Sequence, residues 1–248
     1  MLWYKAWRES RVRFLISAAV IALMCFVYTL FQARLYPGVA HETPRVHNYT
    51  QYIHWTIFGG ATRGILQLSC LLLGLGGLQR DRKQNTLGFT LALPVSRFSL
   101  VASRAMLGLV QVLALAAIPS LIVTAASHLA GQQLPLAYTL PFIALWAVGG
   151  IFTFAVSFLC SVLFTSEYVS LAVAYVAYMF YLAGVRHPTL GQYHLHVADF
   201  MSGLAPHYLD RSTMLWSNTY ALAPIAGFFA TALALAAISA LITARQDL

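Results

Sequence analysis

Six long apolar segments restrict what this chain can fold into. A helix needs about 20 mostly apolar residues to cross the hydrocarbon core of a bilayer. The segments that approach this length are Phe14–Ala33, Trp55–Leu78, Ala105–Ser127, Thr139–Phe164, Tyr168–Val185 and Tyr220–Thr243. Only 9% of the residues are charged, against about 25% in soluble domains, so a water-facing surface cannot be covered. The sequence therefore predicts an all-α, polytopic membrane protein with six transmembrane helices in a single domain, residues 1–248.

The positive charges indicate which loops face the cytoplasm. With the N-terminus inside, the inner segments hold Lys5, Arg8, Arg11, Arg13, Arg80, Arg82, Lys83, Arg97, Arg104 and Arg245. The outer segments hold Arg34, Arg45, Arg186 and Arg211. Lys and Arg concentrate in cytoplasmic loops, so both termini are predicted to be cytoplasmic. The net charge of +8 is explained by this placement, and no nucleic-acid partner is expected.

The longest outer loop, residues 186–218, precedes the sixth span. Two moderately apolar stretches within it, His196–Leu204 and Tyr208–Trp216, are predicted to form short helices at the outer interface or dipping into it.

The N-terminal segment, residues 1–13, combines tryptophans and cations. Trp3 and Trp7 are four residues apart and share one helical face, while Arg8 and Arg11 lie on others. This pattern favours an interfacial helix anchored in the lipid headgroups. The alternative is a basic flank that only orients the first span. Glu9 and Arg13 have the spacing of a favourable pair within one helix.

Several classes of chemistry lack their motifs in this chain. No Asp or Glu lies within a predicted span, which disfavours proton- and sodium-coupled carriers. No HExxH, GxSxG or Walker A motif is present, and neither lysine follows a glycine. We therefore expect no catalytic residues, bound metal or cofactor in this chain. If it transports a substrate actively, the energy must come from another polypeptide.

The polar stretch from Arg80 to Arg104 lies between two apolar segments and is predicted to face the cytoplasm. Pro94 removes a backbone donor and disfavours helix at the residue before it, so a short helix is expected to end near Ala92. Ser96 can then cap the third span. The stretch suits docking to an acidic partner. The alternative is a basic loop that only contacts anionic lipids.

This stretch resembles the corresponding segment of ABC type-2 exporter permeases, in which a charged end of the second span precedes Gly-Thr-Leu, a Leu-rich run and Leu-Pro-Val/Ile-Ser-Arg/Lys. The matching residues are Asp81, Arg82, Thr86, Leu87, Leu91, Leu93, Pro94, Val95, Ser96 and Arg97. Asn85 stands where the family has Gly. Six spans, cytoplasmic termini and an N-terminal elbow helix also fit the resemblance.

The resemblance implies a bacterial cytoplasmic membrane location and a function as the permease subunit of an ATP-driven exporter. Two permease chains, identical or homologous, would pair in the membrane above two cytosolic ATPase subunits, which carry the ATP and Mg²⁺. A coupling helix in the inner loop would dock on the ATPase. The residues assigned to this contact are Arg80, Asp81, Arg82, Lys83, Thr86, Leu87, Leu91, Pro94, Val95, Ser96, Arg97 and Glu167. For Glu167, the alternative is an acid favoured by the dipole at the start of span five.

Arg63 and Gln67 are the candidates for a substrate pathway, because a cation within a span is costly and often marks function. Arg63 could instead reach the outer interface or pair with carbonyls of an outer loop.

The histidines of the last outer loop leave a rival function open. His194, His196 and Asp199 could supply metal ligands to a membrane-embedded enzyme. A second rival is an ATP-independent carrier or scaffold. The sequence leaves open the substrate, the pairing of the permeases and any accessory subunits.

Overall fold

Six membrane-length helical stretches make up most of this protein. The computed structural model describes residues 2–31, 49–75, 97–164, 166–187, 195–204, 208–210, 215–217 and 222–245. Its elements are α1 (Leu2–Leu30), α2 (Tyr49–Ile53), a π-helical turn (His54–Phe58), α3 (Ala61–Gly74), α4 (Arg97–Leu129), α5 (Leu136–Leu163), α6 (Glu167–Val185), α7 (Val197–Met201) and α8 (Leu222–Arg245). With α2 and α3 taken as one stretch, six are long and apolar enough to cross a membrane. The prediction of an all-α, six-span membrane protein is confirmed.

Helix α5 forms the centre of the bundle. It packs against α3, α4, α6, α7 and α8, and 67% of its most apolar window is buried, against 22% for α1 and 17% for α8. Small residues allow the close packing. A Cβ on Gly150 would lie 2.9 Å from Val112 and 3.2 Å from the sulfur of Cys70. The peripheral helices α1, α6 and α8 therefore present apolar faces to the bilayer or to a second chain.

The first span and its N-terminal extension form one continuous helix. Helix α1 has 29 residues, about 43 Å at 1.5 Å per residue, which exceeds the hydrocarbon thickness of about 30 Å. Its first turns therefore extend beyond the hydrocarbon core, with Trp3 and Trp7 exposed. A separate interfacial helix over residues 1–13 is not seen, because no break interrupts α1.

The second span begins earlier than predicted and is broken. Helix α2 starts at Tyr49 rather than at Trp55, and the π-helical turn ends at the bend Gly59–Gly60. A Cβ on Gly60 would lie 2.3 Å from the carbonyl oxygen of Thr56, so the turn requires glycine at this position. The break separates α2 and the π turn from α3, which carries Arg63.

One of the two short outer helices is confirmed. Helix α7 lies within the stretch predicted from His196 to Leu204. In the second stretch, the residues that the structure describes form an isolated antiparallel bridge between Leu209 and Trp216. The bridge is followed by a side-chain contact: the Trp216 indole donates a 2.9 Å hydrogen bond to the carbonyl of Tyr138, which fastens the loop to the outer end of α5.

Two glycines of α3 should respond oppositely to alanine. A Cβ on Gly74 would lie 2.7 Å from the Phe154 carbonyl oxygen and 2.7 Å from Ser157 Cβ, whereas a Cβ on Gly64 meets no atom within 4 Å. We expect Gly74→Ala to cost about 1–3 kcal/mol by overpacking. Gly64→Ala should be neutral or stabilise by up to about 1 kcal/mol through helix propensity. Thermal unfolding of both variants in one detergent tests this, and equal shifts would contradict the packing described.

Candidate functional site

The segment assigned to coupling falls mostly outside the described residues. This holds for Arg80, Asp81, Arg82, Lys83, Thr86, Leu87, Leu91, Pro94, Val95 and Ser96. Their roles stay predictions. The two flanks of the segment are described: Leu75 ends the second span, and Arg97 is the first residue of α4. The end of the bundle that holds both flanks is the end predicted to be cytoplasmic, and we call it the inner end.

Arg13 joins three elements at the inner end. Its Nη1 donates to the carbonyl oxygens of Leu75, at 2.5 Å, and Leu72, at 3.3 Å. Its Nη2 forms an ion pair with Glu167 Oε1 at the start of α6. The last carbonyls of a helix lack partners within the helix and carry partial negative charge, so a guanidinium suits this position. One side chain of α1 thus holds the end of α3 and the beginning of α6.

A second set of polar contacts joins α1 to α4. Arg104 Nη2 lies 3.1 Å from Glu9 Oε2, and the Gln111 amide donates a 2.8 Å hydrogen bond to the Ser10 hydroxyl. Together with Arg13, these four residues line a cleft of about 40 Å³ at the inner end. We call the six residues Glu9, Ser10, Arg13, Arg104, Gln111 and Glu167 the inner cluster.

The inner cluster was only partly predictable. The spacing of Glu9 and Arg13 suggested a pair within α1, but the two side chains reach α4 and α6 respectively. A signal for the inward face was present: Ala6, Ser10, Arg13 and Ser17 recur at helical spacing as small or polar residues. Ala6 and Ser17 are buried. This stripe identifies Arg13 as the cation that points into the bundle.

The structure also describes Glu167 and the four residues that the sequence analysis assigned to the membrane interface. Glu167 is the first residue of α6, near its positive N-terminal dipole, and Ser166 precedes it without a side-chain capping hydrogen bond. Trp3, Trp7, Arg8 and Arg11 are exposed on α1, as lipid contact requires. The carboxylate of Glu167 forms an ion pair with Arg13. Docking of Glu167 to an ATPase stays a prediction.

Arg63 and Gln67 lie in the outer half of the bundle, facing α7. Arg63 is half-buried about 18 Å along α3 from Leu75 at 1.5 Å per residue. It donates a 2.5 Å hydrogen bond to the carbonyl of Ala198. One helical turn away, the Gln67 amide donates to the thioether of Met201 at 3.3 Å. Of the alternatives for Arg63, the structure therefore shows pairing with a carbonyl of the outer loop. A role in a substrate pathway stays a prediction.

Helix α7 enters the bundle from the outer side. Trp146, buried about 15 Å along α5 from Leu136 at 1.5 Å per residue, donates a 3.1 Å hydrogen bond to the Met201 carbonyl. The Tyr181 hydroxyl donates to the carbonyl of Leu195. Backbone that is not fully helical survives at membrane depth only where its polar groups find partners. Side chains of α3, α5 and α6 supply these partners to α7 and its flank.

Among the described residues of the last outer loop, His196 contacts Asp199. His196 Nδ1 lies 3.1 Å from Asp199 Oδ2, and this hydrogen bond, aided by the charges of Arg63 and Arg186, holds the pKa of the Asp199 carboxyl below its usual range. His194 and His207 lie outside the described residues. Over the parts of the chain that are described, no group of three His, Cys, Asp or Glu side chains could hold a metal ion.

Comparison with known proteins does not identify a family for this chain. No protein-family model, curated protein or solved structure matches the chain. The six apolar helices establish a multi-pass membrane protein. Its function must be argued from the site itself.

Proposed function

We propose that this chain is the membrane-spanning subunit of an ATP-driven exporter of the ABC type-2 permease class. It would act in the bacterial cytoplasmic membrane with both termini in the cytoplasm. A second permease chain would complete the pathway, and separate cytosolic subunits would bind and hydrolyse ATP. The transported substrate is left open.

The observation that carries the proposal is that α1 contacts both flanks of the predicted coupling segment. Arg13 binds the carbonyl of Leu75 just before the segment, and Glu9 binds Arg104 at its C-terminal end. A displacement of residues 76–96 by a docked ATPase would therefore be passed to α1 at two points. Through the pair between Arg13 and Glu167 it would also reach α6.

The outer end supports the same mechanism. Helix α7 packs on α5, where a Cβ on Gly149 would lie 2.5 Å from the Met201 side chain. Its carbonyls are held by Arg63 of α3 and Trp146 of α5. Movement of α3 relative to α5 would strain these bonds. Since Arg13 also binds the end of α3, a displacement at the inner end can be transmitted to α7.

Co-purification with an ATPase tests the proposal. We expect the full-length chain, extracted in mild detergent, to retain a nucleotide-binding partner whose ATPase activity it stimulates. Pro94→Ala and Arg97→Glu should weaken this association or abolish the stimulation, because both alter the predicted docking segment. Arg186→Glu is the matched control, since it reverses a charge on the predicted outer side and should leave both properties unchanged.

Either of two results of the co-purification would contradict the proposal. One is the absence of any nucleotide-hydrolysing companion. The other is full association and stimulation in both inner-loop variants. The orientation of the segment can be checked independently with a Lys83→Cys variant. If a membrane-impermeant thiol reagent labels this cysteine in intact cells, the segment faces the exterior and cannot dock on a cytosolic ATPase.

A further inference from the structure

One ring nitrogen of His196 lies between two groups that require it in opposite protonation states. His196 precedes α7 as its N-cap, and its Nδ1 accepts a 3.3 Å hydrogen bond from the backbone amide of Asp199. The same Nδ1 lies 3.1 Å from Oδ2 of the Asp199 carboxylate. An amide donor needs a nitrogen without a proton, whereas a carboxylate needs a nitrogen that carries one. The ring can therefore satisfy only one of the two contacts at a time.

The other ring nitrogen of His196 does not decide between these contacts. In a histidine, the hydrogen bond made by one nitrogen sets which nitrogen carries the proton. Nε2 of His196 is buried and has no partner among the residues that the structure describes. Imidazole is also the side chain whose charge ordinarily changes between about pH 5 and pH 8. Since the neighbouring Asp199 is exposed, the pH on the outer side determines which contact forms.

Protonation of His196 exchanges a helix cap for an ion pair. The neutral ring satisfies an amide in the first turn of α7, and such caps stabilise the start of a helix. The imidazolium cannot accept this bond, and it places a positive charge at the positive end of the helix. In return it gains the contact with the Asp199 side chain, which is 56% exposed, and exposed ion pairs contribute little. Protonation therefore weakens the first turn of α7.

The charged groups on neighbouring elements favour the neutral ring at neutral pH. His196, Arg63 of α3 and Arg186 at the C-cap of α6 together hold the pKa of the Asp199 carboxyl below its usual range, so this carboxyl is already ionised when an imidazole titrates. The two arginines oppose a further positive charge beside them. The other titratable side chains that face α7 or Arg63 are tyrosines, which stay neutral between about pH 5 and pH 8: Tyr178, Tyr181 and Tyr208.

We propose that His196 is a pH switch that keeps the first turn of α7 closed at neutral pH and loosens it when the outer side becomes acidic. The hydrogen bond from Trp146 to Met201 does not involve the ring, so the C-terminal end of α7 stays attached in both states. The switch goes beyond the proposed export function and requires no ATPase, so the two can fail separately. If both hold, the outer end of the exporter responds to the acidity of the medium that receives its substrate.

A cysteine in the first turn of α7 tests the switch in the purified full-length chain. Val197 is 0% exposed and the three native cysteines are buried, so a Val197→Cys reporter should react slowly with a maleimide. Because the reactivity of a thiol itself depends on pH, each rate is divided by the rate of the same variant, unfolded in denaturant, at the same pH. We expect this normalised rate to rise about fivefold from about pH 8 to about pH 5, the factor that corresponds to a lost cap.

Two substitutions in the reporter background separate the cap from the ion pair. His196→Asn keeps a side-chain acceptor for the cap but does not titrate, so the normalised rate should stay low at both pH values. Asp199→Asn keeps the amide and removes the carboxylate that favours the imidazolium, so the midpoint of the pH response should move to lower pH. A ring that only fills space would give neither result. His128→Asn, at an exposed histidine in the last turn of α4, is the matched control and should keep the response.

Three outcomes would overturn the proposal: an equal normalised rate of the Val197→Cys reporter at both pH values, an undiminished pH response in His196→Asn, or loss of the response in His128→Asn. Thermal unfolding at neutral pH verifies that each variant is folded. The midpoint in Asp199→Asn decides independently of His196→Asn, since a midpoint that does not move would show that the titrating group is not the imidazole in contact with this carboxylate.

Discussion

Replacing Arg13 by alanine is expected to destabilise the protein by about 2 kcal/mol and to uncouple ATP hydrolysis by its partner. The substitution leaves Glu167 without its ion-pair partner and exposes the carbonyls of Leu72 and Leu75 to an emptied cleft. Breaking a fully buried pair costs about 3–5 kcal/mol and an exposed one about 1 kcal/mol or less. The two side chains are 26% and 32% exposed, so an intermediate value is expected. Thermal unfolding in detergent and ATPase stimulation in the reconstituted complex are the measurements.

Arg11→Ala is the matched control for Arg13→Ala. Arg11 lies two residues away on the same helix, but its side chain is exposed. We expect its loss to change stability by no more than about 0.5 kcal/mol. If the two variants behave alike, α1 does not hold the inner end together.

A double-mutant cycle isolates the contact with α6. If Arg13 acts largely through Glu167, then Glu167→Gln should remove part of the same free energy, and the double variant should cost less than the sum of the two. Strict additivity would show that Arg13 stabilises the fold independently of Glu167, for example through the carbonyls of α3. The stability of Arg13→Lys should fall between those of the wild type and of Arg13→Ala. An ammonium can keep the ion pair with Glu167 but cannot also reach the carbonyls of α3.

The spans and their order were predictable because the length of each apolar segment decides whether it can cross the bilayer. About 20 apolar residues cross the hydrocarbon core. Helix α5, at Leu136–Leu163 against a predicted Thr139–Phe164, agrees to within a few residues, whereas α1 and α4 begin earlier than the predicted spans. Helix α7 was predicted for the same reason, since an apolar stretch in a loop must be buried somewhere. Hydropathy carries no more information than this.

Hydropathy does not show which face of a helix points into the bundle. Lys5, Arg8, Arg11 and Arg13 are equivalent as positive charges near a span, but only the face that holds Ala6, Ser10 and Ser17 turns inward. Which acid each cation meets depends on helix packing, and Glu167 lies far away in the sequence. The depth of α7 was equally hidden, because the carbonyls that it exposes are satisfied by Arg63 and Trp146 from other helices.

The break in the second span was missed for a related reason. The pair Gly59–Gly60 marks it in the sequence, but glycines in a span more often signal close helix packing. Gly60 and Gly64 have the spacing of a packing motif, and the structure gives them different roles. Gly60 is required by the backbone of the π turn, whereas Gly64 faces open space.

Substitution of Trp146 is expected to release α7 from the bundle. The indole is 0% exposed, packs edge-on against Phe58 at 5.8 Å and donates to the Met201 carbonyl. Trp146→Ala removes a large buried ring and should cost about 3–5 kcal/mol. Trp146→Phe keeps most of the ring but leaves that carbonyl unpaired, for about 1–3 kcal/mol. Thermal unfolding measures the stability of both variants.

The position of α7 can be followed separately from stability. Ser202, 1% exposed, directly follows α7, and a Ser202→Cys reporter should react slowly with a membrane-impermeant maleimide. The three native cysteines are all buried, which keeps the background low. In a Trp146→Phe background the reporter should react several-fold faster, since the bond that holds α7 at depth is gone. Trp7→Phe, at an exposed tryptophan of the inner end, should leave both the reactivity and the stability unchanged. Equal reactivity in the Trp146→Phe and Trp7→Phe backgrounds would mean that packing by Met201 against Gly149, rather than the indole, keeps α7 in place.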